Sequence, residues 1–319
     1  MQQRQANNDV TTSDVTEYAL PFKTEEFSQH MNNVMEQIDQ KNYEKTKTGA
    51  VRVGVLSFEK LKPVGSGKMA YVNLVHPNGT TGPLIVQSEW LSTPFGGPRE
   101  PAEEYRQPGK KKYSLDVSFR GYRENERVGQ FHDAMRQFDE SVLFAATQGQ
   151  FKIKPSSTTN KDVLATLMTK CVKVAVDRKT GEETDKYAPT LKVAVPYYAD
   201  GERAGWGCTA SDVDGNEYDD LADIVPAKSH VRAILQCVGV WAMQSGGFGC
   251  KWKVIRFEFR PNQVRTFRDF DFRDSNASKG QLGEMIKLDQ DQDGDDDDDD
   301  DANANASGGD EDEDEILSD

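Results

Sequence analysis

Residues 112–149 constrain the fold most, because they join a clear strand pattern to the longest helical pattern in the chain. In residues 113–120, apolar side chains alternate with polar ones, which is the period-two pattern of a strand with one buried face. From Phe131 onward, apolar residues recur at spacings of four, three, four and three, which indicates one apolar face of a helix. Asn125 is a candidate N-cap and Gly149 a candidate C-terminal stop. Since strand patterns surround this helix on both sides, we expect it to plug a β-rich body.

Strand patterns fill most of the remaining sequence. They cover residues 51–58, 69–75, 84–91, 171–176, 191–198, 231–243 and 251–259, with a short strand at 205–209. An amphipathic helix is expected at residues 24–41, with Thr24 as its cap. This pattern favours a mainly β fold with a central helix, an OB-like antiparallel barrel with insertions. We expect a disordered N-terminus at 1–22, one domain at 23–275 and a disordered acidic C-terminal tail at 276–319.

Acidic residues are concentrated at the C-terminus. The chain has 319 residues, with 54 Asp and Glu against 39 Lys and Arg, which gives a formal net charge of −15. Residues 289–319 contain 17 of these acids and no Lys or Arg, so the rest of the chain has 37 acids against 39 bases. A nearly neutral body can carry a basic face, and a tethered polyanion can compete for that face.

Several classes of protein are disfavoured by what the sequence contains. It has no apolar run that spans a bilayer and no secretory signal, so we expect an intracellular protein with reduced thiols and no membrane contact. No two cysteines have the spacing of a zinc site, and the four histidines are isolated, so no metal is expected. The P-loop-like Gly65–Lys68 and the calcium-loop-like residues 289–294 are both incomplete, and no nucleophile motif is present. We therefore expect no cofactor and no enzymatic activity.

Aromatic and basic residues are interleaved along several strands and loops. Binding of single strands requires cations for the phosphates and aromatic faces on which unpaired bases stack. Each aromatic residue taken alone is more often part of a core than a stacking platform, so the signal is in the set. The candidate DNA-binding residues are Trp90, Phe95, Arg99, Lys110, Lys111, Lys112, Tyr113, Tyr198, Arg203, Trp206, Lys251, Trp252, Lys253 and Arg256.

Four blocks of sequence, taken in order, carry a family resemblance. They are PLIVQSEWLSTPFG at residues 83–96, YSLDVSF at 113–119 with the helix that follows, YAPTLKV at 187–193 and GCKWKV at 249–254. Together they resemble the single-stranded DNA-binding proteins of large eukaryotic DNA viruses, distant relatives of the T7-type phage protein.

The resemblance implies an OB-fold core that binds single-stranded DNA without regard to sequence. It also implies a role in viral DNA replication, recombination or repair, in the nucleus or at a cytoplasmic replication site of an infected cell. The T7 type ends in an aromatic residue, whereas this chain ends in Ile316-Leu317-Ser318-Asp319.

The tail has three interpretations, and in the third its acids only keep the protein soluble. In the first, it competes with DNA for the basic face and recruits a replication polymerase or helicase. The partner-binding residues would be Asp310, Glu311, Asp312, Glu313, Asp314, Glu315, Ile316 and Leu317. In the second, the tail is the active part of a chaperone for histones or other basic proteins. The sequence leaves the oligomeric state open.

Overall fold

The computed structural model describes residues 20–64, 67–103, 106, 111–151, 158–177, 179–199, 204–222, 224–243 and 246–261. The predicted N-terminal segment up to residue 19, the boundary at residue 275 and the acidic tail lie outside the described residues. The same holds for the candidate site residues Lys110 and Arg203.

Three helices and twenty-one strands are assigned in the described part of the chain. The helices are α1 (Thr24–Asp39), α2 (Glu126–Thr147) and α3 (Lys161–Leu167). The strands in the first half are β1 (Glu44–Lys45), β2 (Val51–Val53), β3 (Leu56–Phe58), β4 (Lys62–Val64), β5 (Gly67–Ala70), β6 (Val72–Val75), β7 (Thr81–Pro83), β8 (Ile85–Gln87), β9 (Leu91–Thr93) and β10 (Tyr113–Ser118). Those in the second half are β11 (Met168–Thr169), β12 (Val172–Lys173), β13 (Ala175–Val176), β14 (Glu183–Thr184), β15 (Thr190–Val195), β16 (Tyr197–Tyr198), β17 (Gly205–Trp206), β18 (Thr209–Asp212), β19 (Glu217–Tyr218), β20 (Ser229–Ala242) and β21 (Phe248–Arg260).

Five strands close into a barrel in the order β9, β10, β15, β21 and β20, with β20 returning to β9. Four of the five contacts are antiparallel, and β15 meets β21 in parallel through the pair Ala194 and Lys253. Closure gives each of these strands two neighbours and removes its free edges. The chain is therefore mainly β with an OB-like barrel and insertions, as its sequence predicts.

Short inserted strands fill the seam between β15 and β21 on both sides of their single pair. On one side, β12 pairs with β15 and β11 pairs with β21. On the other side, β18 pairs with β21 and carries β19 at its outer edge. These insertions satisfy backbone groups that the two barrel strands would otherwise leave unpaired as they diverge.

A second, five-stranded sheet lies N-terminal to the barrel strands, in the order β1, β2, β3, β6 and β7. Two strands predicted from the sequence in this part of the chain are each divided in the structure. Residues 51–58 form a hairpin rather than one strand, because Gly54 turns with a φ of +53°. Residues 69–75 are divided at Tyr71, because β5 pairs with β20 whereas β6 pairs with β3.

Helix α2 confirms the prediction made for the centre of the chain. The Asn125 side chain accepts hydrogen bonds from the backbone N–H groups of Arg127 and Val128, at 3.1 and 3.3 Å. Gly149 has a φ of +73°, the left-handed conformation in which glycine favours helix termination. The predicted apolar face, including Phe131 and Phe138, is buried.

The cap of α1 was predicted wrongly. The N-cap is Lys23, whose backbone N–H donates to the Glu26 carboxylate at 3.0 Å. Thr24 is the first helical residue, and its buried hydroxyl donates to the Gln87 carbonyl at 3.4 Å. Among the described helices, none is long and apolar enough to cross a membrane.

A ring contact and a buried carboxylate link helix α2 to strands β21 and β12. The Phe138 ring packs edge-on against Trp252 of β21, with 5.1 Å between ring centroids. The buried Asp139 carboxylate accepts hydrogen bonds from the backbone N–H groups of Cys171 and Val172, at 3.0 and 3.2 Å. These bonds fix the start of β12 to the helix that covers the barrel interior.

Burial dominates the ionisation of Asp139. It raises the pKa of this carboxyl from 3.8 to about 6, although the N–H groups of Cys171 and Val172 and the Lys170 ammonium oppose the shift. Because the folded-state pKa is above the unfolded value, the stabilising contribution is complete below about pH 4. It is lost as pH rises through about 6.

We predict that Asp139→Asn removes this pH dependence. The wild-type protein should lose about 1 kcal/mol relative to the variant between pH 5 and pH 7.5, since the asparagine has no charge to bury. Urea unfolding of both proteins at the two pH values measures the difference. A constant difference between the proteins would contradict the assignment. Asp139→Ala should be less stable at both pH values, because it leaves two N–H groups without an acceptor at about 1–3 kcal/mol each.

Candidate nucleic-acid interface

The outward-facing residues of β21 are set by a β-bulge. Leu235 pairs with Val254 and Ile234 pairs with Arg256, so Ile255 has no partner on β20. The extra residue shifts the alternation of side chains by one position. As a result, Arg256 is exposed on the same outer face as Lys253, although the spacing of three residues would place them on opposite faces of a regular strand.

Four basic side chains form what we term the cation face, on the outside of β15 and β21. Lys192 of β15 and Arg256 are exposed, and Lys251 and Lys253 are half-buried. They alternate with the buried residues Leu191, Val193, Trp252, Val254 and Phe257, which point into the barrel. Burial lowers the pKa of Lys253, as expected for an ammonium that is partly removed from water.

The loop between β9 and β10 carries an exposed aromatic ring beside this barrel wall. The side chain of Phe95 is 59% exposed, and the Arg99 guanidinium carbon lies 4.2 Å from its ring centroid. Arg99 also forms an ion pair with Asp116 of β10 at 3.1 Å, and its backbone bonds to Ser114 in both directions. The loop is thus attached to β10 and presents a ring and a guanidinium together.

Three half-buried rings form the aromatic cluster, which consists of Tyr113, Tyr197 and Trp206. The Tyr113 ring centroid lies 4.4 Å from that of Trp206 and 5.3 Å from that of Tyr197. The Lys111 ammonium lies 5.8 Å from the Tyr197 ring, and the Trp206 indole N–H donates to Asp220 at 3.2 Å. Burial, together with a hydrogen bond to Glu100, raises the pKa of Tyr113 from 10 to about 12.

Trp90 lies away from the aromatic cluster, against two arginines that were not among the predicted site residues. The guanidinium carbons of Arg260 and Arg232 lie 3.9 and 5.0 Å from its ring centroid. Arg232 is outward-facing on β20, and Arg260 ends β21. Alternation within those two strands could have identified both arginines, but their partner Trp90 is distant in sequence.

The prediction that Trp252 stacks on bases is wrong. Its side chain is 2% exposed and lies in the core against Phe138, so neither ring face is open to a ligand. The alternation of side chains along β21 explains this placement, since Trp252 lies between the outward-facing Lys251 and Lys253. Tyr198 is half-buried, and its ring packs against Gly207. A Cβ atom added to Gly207 would lie 2.5 Å from the Tyr198 ring.

The structure thus brings Phe95 together with Arg99, and Lys111 together with Tyr113 and Trp206. Lys112 is half-buried at the start of β10. Lys192 was missed by sequence reasoning because no aromatic residue adjoins it, although it alternates with buried Leu191 and Val193. In the described ranges, no group of His, Cys, Asp or Glu residues could hold a metal ion.

Comparison with solved structures finds matches with low sequence identity and low structural similarity. A single-stranded DNA-binding protein from bacteriophage Enc34, in complex with ssDNA, has 12% identity and a TM-score of 0.35; the match covers 65% of this chain and 96% of that one. Bacteriophage T7 gp2.5, also a single-stranded DNA-binding protein, has 12% identity and a TM-score of 0.35, with coverage of 60% and 98%. No protein-family model and no curated protein matches the chain.

Identities and TM-scores this low transfer neither a ligand nor a site residue to this chain. The resemblance to proteins of large eukaryotic DNA viruses is not tested by these matches and stays a prediction.

We predict that the core and the surface aromatic residues differ sharply in their contribution to stability. Trp252→Ala should lower the free energy of unfolding by about 3–5 kcal/mol, because it leaves a cavity against Phe138. Phe95→Ala should change it by no more than about 0.5 kcal/mol, because most of that ring is already in water. Urea unfolding followed by circular dichroism measures both values. A Trp252→Ala protein as stable as the wild type would return this residue to the list of candidate platforms.

Proposed function

We propose that this chain binds single-stranded DNA without regard to sequence, on the outer wall of the barrel formed by β10, β15 and β21. The observation that supports the proposal most is the combination of the cation face with the loop that presents Phe95 and Arg99. The cation face supplies ammonium and guanidinium groups for phosphates, and the loop supplies a ring face for an unpaired base. In OB-folds, the face of the second and third barrel strands, which here are β10 and β15, and the loop between the first two barrel strands bind oligonucleotides.

Preference for single strands follows from the exposed ring. A base that is paired in a duplex has both faces covered by its neighbours, so it cannot stack on Phe95 or on the edge of the aromatic cluster. A stacked unpaired base contributes about 1–3 kcal/mol. Because every base has a π face, stacking discriminates poorly between sequences.

Two acids near the cation face are already paired with arginines: Glu258 of β21 with Arg232, and Asp116 of β10 with Arg99. Asp116 lies opposite Lys192 in the register of β10 with β15, and it is already paired with Arg99. Half-buried Lys253 has lost part of its hydration, so a phosphate that replaces this water meets a smaller desolvation cost. We propose that the bound strand runs across this wall and that its bases contact the Phe95 loop.

We predict that the double charge reversal Lys251→Glu with Lys253→Glu weakens binding to all oligonucleotide sequences alike. Affinity for oligo-dT should fall by at least about tenfold, and the slope of log affinity against log salt should fall by about 1.4, since each lost phosphate contact removes about 0.7. Fluorescence anisotropy at two salt concentrations, with oligo-dT and a matched duplex, measures both quantities.

The matched control carries the same change of charge at a distance from the cation face. Lys47 and Lys62 are exposed, in the turn before β2 and in β4. The variant Lys47→Glu with Lys62→Glu should retain most of the affinity and the wild-type salt slope. Equal losses in the two double variants would mean that total charge, and not the cation face, governs binding.

We further propose that the acidic tail competes with DNA for the cation face and, when displaced, binds basic surfaces of replication partners such as a polymerase or a helicase. The proposal is based on sequence alone, since the tail lies outside the described residues. A flexible tether gives an effective concentration of order millimolar, enough for a weak ionic contact to be populated.

Truncation after Lys287 is predicted to tighten binding of oligo-dT several-fold at low salt and to have little effect at high salt, where screening weakens the competing contact. Anisotropy titration of full-length and truncated proteins tests this. Equal affinities at low salt would leave the tail without a competing role. If truncation leaves DNA affinity unchanged but abolishes binding of histones, the chaperone interpretation is the correct one.

A further inference from the structure

Trp90 holds two arginine side chains at the end of the barrel where β21 finishes. The closer guanidinium, that of Arg260, lies 3.9 Å from the ring centroid, which is stacking distance. Arg232, at 5.0 Å, is also paired with Glu258 through a contact of 2.5 Å. Within the described residues, Arg260 makes no ion pair, and its guanidinium stacks on the indole ring of Trp90.

A guanidinium that lies over a ring keeps its N–H groups in its own plane. Stacking therefore restrains the side chain without using its hydrogen-bond donors, which remain directed outward in the fork geometry that fits phosphate. The same stacking covers the indole, so Trp90 is poorly placed to receive a base on the face that Arg260 occupies. These facts favour a role for Trp90 different from the stacking platform predicted from its sequence.

We propose that Arg260 and Arg232 form a phosphate-binding site for the single strand, and that Trp90 is a positioning residue that orients their guanidinium groups. The inference rests on the proposed function and extends it along β21. Arg260 lies on the same strand as Lys253 and Arg256, and outward positions continue between them after the bulge at Ile255. A phosphate chain that leaves the cation face along β21 therefore reaches Arg260.

The distance along the strand fixes the expected length of the bound oligonucleotide. Seven residues separate Lys253 from Arg260, which is about 23 Å at ~3.3 Å per residue. A stacked single strand covers this distance with about seven nucleotides, and an extended strand with fewer. A stacked oligonucleotide of five nucleotides that is bound at Lys251 and Lys253 therefore stops short of Arg260, whereas one of fifteen nucleotides reaches both.

The test compares dT5 with dT15 in full-length variants at two salt concentrations. Arg260→Gln should lower affinity for dT15 by about tenfold, the loss expected for a charge-assisted hydrogen bond, and should lower the salt slope by about 0.7. Its affinity for dT5 should change less than twofold. Arg127→Gln is the matched control, because Arg127 is an exposed arginine of α2 paired with Glu25, and it should leave both affinities unchanged.

Two variants of Trp90 distinguish the effect of its π face, which orients the arginines, from the effect of its apolar volume. Trp90→Leu keeps an apolar side chain but has no π face, so it should reproduce the selective loss for dT15. Trp90→Phe keeps a ring that attracts guanidinium less strongly, so it should retain part of the affinity. Circular dichroism and urea unfolding check that each variant is folded.

Each result is decisive for the site. Wild-type affinity of Arg260→Gln or of Trp90→Leu for dT15 would overturn the proposal, and so would an equal loss for dT5 and dT15. An acidic peptide of twelve aspartates serves as the second ligand. If Arg260→Gln abolishes binding of this peptide but leaves dT15 affinity intact, the site binds carboxylates rather than phosphates. Failure of the proposed function would be distinct, since the wild-type protein would then bind neither oligonucleotide.

Discussion

The pairing of β20 with β21 is the contact on which the rest of the structure depends. It runs with two irregularities from His230 and Arg260 at one end to Ala242 and Phe248 at the other. On its outer edges, β20 receives β5, β8 and β9, while β21 receives β11, β15 and β18. A barrel can close around such a hairpin because both strands are long enough to take different partners along their length. The short strands gain their order from it, since isolated strands of two or three residues have little stability of their own.

Both irregularities in this hairpin have a physical consequence. The unpaired Ile255 shifts the parity of β21, which keeps the basic residues outside and Phe257 and Phe259 inside. The unpaired Val238 precedes Gly239, which has a φ of +142°. A Cβ there would lie 2.5 Å from the Ala70 carbonyl oxygen, so glycine permits β5 to approach closely. One bulge therefore arranges the candidate binding surface, and the other permits attachment of the strand that leads to the N-terminal sheet.

Acidic side chains hold several of the basic and aromatic side chains at the candidate interface in fixed orientations. Asp116 orients Arg99, Asp220 orients Trp206, and Glu258 orients Arg232. The ion pairs among these contacts, Asp116 with Arg99 and Glu258 with Arg232, are exposed or partly exposed and add little to stability. Their effect is to reduce the number of rotamers that long side chains must lose on binding, which lowers the entropic cost of ordering them against a ligand. Interpreted in this way, the acids near the cation face are compatible with binding of a polyanion.

Local patterns in the sequence determined the elements that depend on neighbouring residues. The helix from Glu126 to Thr147, its Asn125 cap and the glycine at its end were all predicted, because caps and apolar periodicity act within a few residues. The period-two pattern of β10 likewise predicted that Leu115, Val117 and Phe119 are buried, and together these patterns indicated a mainly β barrel with a central helix.

Tertiary structure alone decided where the aromatic residues lie and which cations share a face. Trp252 adjoins two lysines in the sequence and Trp206 lies three residues after Arg203, yet Trp252 is buried against Phe138 and Trp206 is half-buried beside Tyr113. Lys253 and Arg256 share a face only because the register of β20 with β21 leaves Ile255 without a partner. Trp90 meets Arg232 and Arg260 only when the barrel closes. Such contacts depend on register and closure, which arise from pairing between remote segments, and no local pattern of residues encodes them.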